Sequence, residues 1–119
     1  MQEKVVFISV PYSKDPCRGE ELSYLCGLYV RKQGKIPFSP VFNFQNFFDN
    51  GNEYETVLEH CKVMLSKSDE VLLIEDGIVS NGQLVEEAEA IRLNKPVVKI
   101  ESQVLENIVN GKNLKIYQI

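Results

Sequence analysis

The chain has 119 residues, of which 44% are hydrophobic and 25% charged, a composition that predicts one domain over residues 1–119 with one core. Its net charge is −4 and its Lys and Arg residues are scattered, which argues against nucleic acid or an anionic membrane as a partner. The apolar runs are far shorter than the ~20 residues that cross a bilayer, and a strand pattern begins almost at the first residue. We therefore expect a cytoplasmic protein.

The first third of the chain reads as a strand, a helix and a second strand. Lys4 to Val10 is rich in β-branched residues and ends in a polar loop with two prolines. Helical spacing of apolar residues then predicts a helix from about residue 17 to 33, with Gly34 in the left-handed position after it. Lys35 to Phe38 is the second predicted strand.

Val41 to Phe48 contains four phenylalanines, which form either a short segment folded over the core or an aromatic wall over a ligand pocket. A turn signal at 49–52 precedes a predicted helix over 53–67. The unbroken apolar run Val71 to Ile74 indicates a central parallel strand. A helix beginning near Gly82, a strand over 96–100, a helix over 101–110 and a fifth strand over 114–119 complete the pattern.

Alternation of strands and helices predicts an α/β fold with helices on both faces of a mostly parallel sheet. Right-handed, short connections favour a flavodoxin-like three-layer sandwich whose five strands lie in the order 2-1-3-4-5. In this order the carboxyl ends of the first and third strands flank a crevice. We expect the ligand site there, between the loops at 9–13 and 75–82.

The loop after the third strand leads into a helix through Ser80 and Gln83, which match a capping box. The same segment also suits a phosphate or sugar oxygen, bound by Ser80 and by the backbone N–H groups of Asn81 to Gln83, with Gly82 allowing close approach. The chain has neither a Walker loop nor a dinucleotide fingerprint. The capping and the anion-binding interpretations both stay open from these residues.

Two adjacent carboxylates, Glu86 and Glu87, follow in this helix and are candidates for a nucleophile or general base. A helical wheel predicts that Leu84, Ala88 and Ile91 face the sheet. Glu86 aligns instead with a second stripe that includes Ala90 and Leu93, whereas Glu87 has no apolar neighbours. The wheel therefore favours Glu86 over Glu87 by a small margin.

Three further residues flank the predicted crevice. Asp76 ends the third strand and either binds sugar hydroxyls or begins the turn. Tyr12 is placed to stack on a base, and Arg18 to bind a phosphate through two N–H groups, although both are also ordinary surface residues.

Metal chemistry is not indicated by the sequence. Cys17, Cys26 and Cys61 are widely spaced, and the single histidine, His60, does not complete a zinc pattern, so we expect neither metal nor cofactor. Cys26 and Cys61 fall on apolar helix faces and are expected to be small buried side chains.

An ordered set of short motifs covers residues 4 to 100 and resembles the nucleoside 2-deoxyribosyltransferase-like superfamily, in particular its small uncharacterised bacterial and phage proteins. The motifs are Phe7 to Ser13, Gly34 to Pro40, Leu65 to Ile74, Ser80-x-Gly82-x-x-x-Glu86 with Ala90, and Lys95 to Val98. The resemblance implies a flavodoxin-like core that assembles at least as a homodimer.

The resemblance also implies roles for individual residues. Glu86 would attack the anomeric carbon of a nucleoside or nucleoside 5′-monophosphate, and Ser80 and Gly82 would bind the 5′ end of the ligand. The loop containing Ser9, Pro11 and Tyr12 would contact the sugar or the base. The implied activity is hydrolysis, or transfer, at the N-glycosidic bond.

One position departs from that family. Cys61 stands where several characterised members carry an aspartate close to the nucleophile. A thiol does not replace a carboxylate as an acid or as an acceptor at neutral pH. Two hypotheses follow: Asp76 takes that role in an enzyme, or the protein binds nucleotides without cleaving them.

Overall fold

A computed structural model describes residues 3–49, 51–77 and 79–111. Four strands and five helices occur in the described residues, in the order β1 Val5–Ser9, α1 Pro16–Lys32, β2 Ile36–Phe38, α2 Pro40–Phe44, α3 Tyr54–Ser66, β3 Glu70–Glu75, α4 Asn81–Arg92, β4 Val97–Glu101 and α5 Ser102–Gly111.

The strands form one sheet in the order β2-β1-β3-β4, and every neighbouring pair is parallel. The register pairs Phe7 with Phe38 on one side and with Val71 on the other. The carboxyl ends of β1 and β3 are therefore side by side in the middle of the sheet, where parallel α/β proteins place ligands.

Helices cover both faces of the sheet. On one face, Val6 and Ile8 pack with buried residues of α1 and α5, including Leu22 and Leu105. On the other face, Phe7 packs with Cys61 and Leu65 of α3 and with Ala90 of α4. Alternate residues of β1 thus enter two separate cores, as the two-residue period of a strand requires.

The predicted α/β fold and the order of its first four strands are confirmed. The residues at the two ends of α1 have the capping roles that their chemistry predicts. Asp15 accepts a hydrogen bond from the Arg18 N–H and so caps a helix that begins with Pro16, and Gly34 has a positive φ of 78° after its end. The fifth strand, predicted over 114–119, lies outside the described residues.

The predicted orientation of α4 is wrong. Leu84 and Ile91 are 54% and 63% exposed, and Ala88 is also exposed. Gln83, Glu86 and Ala90 are buried against the sheet instead. The two polar side chains can occupy this face because strand termini and neighbouring side chains supply hydrogen-bond partners there, so hydrophobicity alone misassigned it.

In the described part of the chain, no helix is both long enough and apolar enough to span a membrane.

A pair of substitutions tests the orientation of α4. Ala90→Leu should lower the free energy of unfolding by about 1–3 kcal/mol, because the added carbons have no space between α4 and the sheet. Ala88→Leu, two residues earlier on the exposed face, should change it by less than about 0.5 kcal/mol. Urea denaturation measures both, and equal effects would contradict this orientation.

Candidate functional site

A cavity of about 1090 Å³ opens at the carboxyl ends of β1 and β3. Its walls come from the two loops that follow these strands, the start of α4, one side of α3 and the aromatic segment around α2. Its volume suits a small-molecule ligand.

Glu86 is the buried carboxyl group of this cavity. It is 7% exposed, and its Oε1 accepts a hydrogen bond of 2.7 Å from the Ser9 hydroxyl at the end of β1. The thiol of Cys61 on α3 also donates to the Glu86 carboxylate. Glu87, by contrast, lies outside the cavity and pairs with Lys99 of β4 at 2.7 Å.

Burial raises the pKa of Glu86 from its ordinary value of 4.5 to about 7, and the hydrogen bonds from Ser9 and Cys61 offset only part of this effect. Burial and the neighbouring Glu86 raise the pKa of the Cys61 thiol, which stays neutral. Near neutral pH the cavity therefore contains a carboxyl group that exchanges its proton readily, as catalytic carboxylates do.

Gln83 connects three elements beneath the cavity. Its Oε1 accepts from the Ser80 N–H at 3.1 Å, and Ser80 Oγ accepts from the Gln83 N–H at 3.1 Å, which completes the capping box. Its Nε2 donates to the carbonyl oxygens of Ile74 at 2.6 Å and Ser9 at 3.2 Å. The first turn of α4 is thereby bound to the ends of β1 and β3.

Gly82 leaves space in the cavity at the start of α4. A Cβ built there would contact Tyr54 Oη, Leu58 Cδ2 and Ser80 Oγ at 3.8–3.9 Å, which are ordinary distances. Packing within the protein therefore does not require glycine at this position. Tyr54 Oη accepts from Asn81 Nδ2 at 3.2 Å, so α3 and α4 meet at this wall of the cavity.

Arg18 and Asp76 form an ion-pair network at another wall. The Arg18 guanidinium donates two hydrogen bonds of 3.1 Å to the Asp76 carboxylate and one of 2.8 Å to Glu106. It also pairs with Glu21, and the Ser102 hydroxyl donates to Asp76 at 2.7 Å. Arg18 holds the pKa of Asp76 below its usual value, so Asp76 is an acceptor rather than a proton donor.

The loop after β1 is held close to α1 by Gly19. A Cβ at Gly19 would lie 2.8 Å from the Pro11 carbonyl oxygen and 2.8 Å from Tyr12 Cδ1. This close approach fixes the loop beside the cavity, where the Tyr12 hydroxyl donates to Gln45 Oε1 at 3.4 Å. Burial is the main cause that raises the pKa of Tyr12.

The phenylalanine-rich segment folds over the core, as one of its two interpretations predicts. It overlaps the short helix α2, Phe44 packs against the core, and Phe44 and Phe48 also line the cavity. Their rings lie 6.1 Å apart in edge-to-face contact, and His60 packs against both. Phe42 and Phe47 are exposed.

The structure brings the predicted site residues together at one cavity. Eight of them line it, namely Pro11, Tyr12, Arg18, Asp76, Ser80, Asn81, Gly82 and Glu86. Ser9 is buried and reaches the cavity through its bond to Glu86. Among the described residues, no group of three or more His, Cys, Asp or Glu side chains is arranged to hold a metal ion.

Sequence reasoning missed Gly19, Gln45 and Tyr54. Glycine in the first turn of a helix opposes helix propensity, and this conflict was a usable signal for Gly19. Gln45 and Tyr54 gave no comparable signal, because their positions depend on how α2 and α3 fold over the sheet.

Residues 4–100 match the model of one protein family, described as a domain of unknown function (DUF7768). The chain belongs to this family. No curated protein matches it. Among solved structures, this DUF7768 member is similar to a 2-desoxiribosyltransferase from Leishmania mexicana, with a TM-score of 0.62 and 16% identity. The alignment covers 83% of this chain and 65% of that chain, and at this identity it shows a distant relationship of fold alone.

The raised pKa of Glu86 predicts how stability depends on pH. The folded protein holds this proton more tightly than the unfolded chain, so the contribution of Glu86 to stability is greatest below about pH 4.5 and declines as pH rises toward about 7. Glu86→Gln should remove this decline and raise the free energy of unfolding at pH 8 by on the order of 1–3 kcal/mol. Denaturation of both proteins across this pH range measures the effect, and parallel pH profiles would contradict it.

Two glycines of α1 provide a test of the loop contact. Gly19→Ala should destabilise the protein by about 1–3 kcal/mol, because its Cβ meets the backbone of the loop after β1. Gly27→Ala is the matched control: an added Cβ would meet no other described part of the chain within 4 Å, and the change should stabilise the helix by roughly 0.5–1 kcal/mol. If Gly19→Ala is as stabilising as Gly27→Ala, the close approach does not exist in solution.

Proposed function

We propose that this protein cleaves the N-glycosidic bond of a nucleoside or nucleoside 5′-monophosphate, with Glu86 as the nucleophile. The observation that carries the proposal is a buried glutamate, bound by Ser9 and Cys61, at a cavity where two parallel strands end. The distant fold relationship to a deoxyribosyltransferase supports the same class of substrate.

In the proposed reaction, the ionised Glu86 carboxylate attacks the anomeric carbon of the sugar. The electron pair of the C–N bond leaves with the base, which takes up a proton from solvent. A glycosyl ester of Glu86 results, and water then attacks the same carbon and releases both the sugar and the carboxylate. Two displacements retain the configuration of the sugar. A second base in place of water would make the reaction a transfer.

The rest of the cavity suggests how such a ligand would bind. The first-turn N–H groups of Asn81 and Gly82 and the Ser80 hydroxyl favour an anionic 5′ end, because a helix amino terminus carries partial positive charge. Phe44 and Phe48 offer an apolar wall for the base. Asp76, kept ionised by Arg18, is an acceptor for a sugar hydroxyl.

The second candidate is a protein that binds nucleotides without cleaving them. The neutral Cys61 thiol beside Glu86 favours it, because the family resemblance places a carboxylate there in characterised enzymes, and a thiol does not perform its acid or acceptor role. In that case the cavity would bind a ligand and release no base.

A panel of nucleosides and their 5′-monophosphates tests the proposal by chromatographic detection of free base. Release from at least one compound is expected, and Glu86→Gln should lower its rate at least ~10³-fold because the amide is no nucleophile. Glu87→Gln is the matched control and should retain the rate, since Glu87 pairs with Lys99 outside the cavity.

The rate should also rise with pH through a midpoint near 7, where Glu86 loses its proton. Full activity of Glu86→Gln would disprove the assignment of the nucleophile. Tight binding without any release of base would favour the second candidate instead.

A further inference from the structure

We propose that Gln83 is a positioning residue, whose buried carboxamide fixes Ser9 and thereby the Glu86 carboxylate that faces the cavity. This inference deepens the proposed function and rests on it for the role of Glu86. The juxtaposition that carries it is a set of three hydrogen bonds that link α4 to β1 and β3: Ser9 to Glu86, and Gln83 to the carbonyl oxygens of Ser9 and Ile74.

The amide oxygen and the amide nitrogen of the buried Gln83 side chain both have hydrogen-bond partners. It is 1% exposed, its Oε1 accepts from one backbone N–H, and its Nε2 donates to two strand carbonyls. Both N–H bonds of the amide are therefore occupied. Three hydrogen bonds, to β1, to β3 and to the N-cap of its own helix, hold this side chain in one orientation.

The bonds close a ring through the nucleophile. Gln83 binds the backbone carbonyl of Ser9, and the hydroxyl of Ser9 binds Glu86 Oε1 at 2.7 Å. Gln83 and Glu86 are three residues apart on the same helix face. The end of β1 is thus held by α4 through two side chains, and the bond to Gln83 fixes the Ser9 backbone from which the hydroxyl reaches Glu86.

The capping box does not explain why this residue is glutamine. The capping box requires only that the third residue of the helix accept a hydrogen bond from the Ser80 N–H. Glutamate meets this requirement as well as glutamine does. Glutamate would instead place a negative charge against the Ser9 and Ile74 carbonyls and near Glu86. The glutamine amide, by contrast, supplies two N–H donors to these carbonyl oxygens and adds no charge near Glu86.

The charged and titratable groups near Glu86 come from several elements. Cys61 faces it from α3 and remains a neutral thiol. Asp76, Arg18, Tyr12 and Tyr54 line the same cavity, and Asp76 and Arg18 are paired with each other. Gln83 itself carries no charge. A change at Gln83 therefore removes no charge from the surroundings of Glu86, and the bonded route from Gln83 to its carboxylate runs through Ser9.

The test combines Gln83→Met, Ser9→Ala and the double variant, with Gln103→Met as control. Gln103 lies exposed on α5 and donates a hydrogen bond to Asn107 one turn later on the same helix. We expect Gln83→Met to lower kcat at least about tenfold and to change KM less than about threefold. Its pH–rate midpoint should rise by ~0.5–1 unit, because Glu86 loses the hydroxyl that favours its ionised form. Gln103→Met should match the wild type.

The double variant shows whether Gln83 acts through Ser9. Ser9→Ala alone should raise the midpoint, and adding Gln83→Met should raise it no further. Additive shifts, or a folded Gln83→Met protein with an unchanged midpoint, would overturn the inference. If Gln83→Met does not fold, Gln83→Asn replaces it: the amide is one methylene shorter, cannot keep all three partners and should give a smaller shift in the same direction.

The pH dependence of unfolding provides a readout that needs no substrate. The free energy of unfolding declines with pH as Glu86 loses its proton, and this decline should end at a higher pH in Gln83→Met than in the wild type. The shift should match that of the pH–rate midpoint. If the wild-type protein releases no base from any compound, the proposed function fails and this readout still decides the positioning role. Normal activity in the wild type with no shift in either readout refutes the positioning role alone.

Discussion

The hydrogen bond from Ser9 to Glu86 joins the end of the first strand to a helix 77 residues later in the chain. It forms between two groups that the fold removes from water, so the carboxylate exchanges its hydration for one hydroxyl and one thiol. These two donors do not compensate for burial, and the pKa of Glu86 rises to about 7. Because the hydrogen bonds offset the burial only in part, the cavity contains a carboxyl group that titrates near neutral pH.

The same constraint explains how α4 is oriented. Gln83 and Glu86 face the ends of β1 and β3, where backbone carbonyls and the Ser9 hydroxyl satisfy them. The opposite face of the helix, with Leu84 and Ile91, is left exposed. A helix that maximised apolar burial would have the reverse orientation, so α4 gives up part of that stabilisation to place a carboxyl group at the cavity.

Much of the fold was predictable from the sequence because its signals are local. Strand runs, the Gly34 terminus and the Ser80–Gln83 capping box depend on neighbouring residues alone. The orientation of α4 could not be predicted in this way, because both of its buried polar residues depend on Ser9, which lies 74 positions from Gln83 and 77 from Glu86. For the same reason the sequence did not predict the pairing of Arg18 with Asp76, which are 58 positions apart. The helical wheel and the family resemblance singled out Glu86, which lines the cavity, but its role stays a prediction.

The fold holds Glu86 in the cavity with a proton affinity well above that of a surface carboxyl group. The direct measurement is a ¹³C NMR titration of the side-chain carboxyl carbons, with the Glu86 signal assigned by its loss in Glu86→Gln. A buried Glu86 should give this signal a midpoint near pH 7. A midpoint near 4.5, the ordinary value for a solvated glutamate, would contradict it.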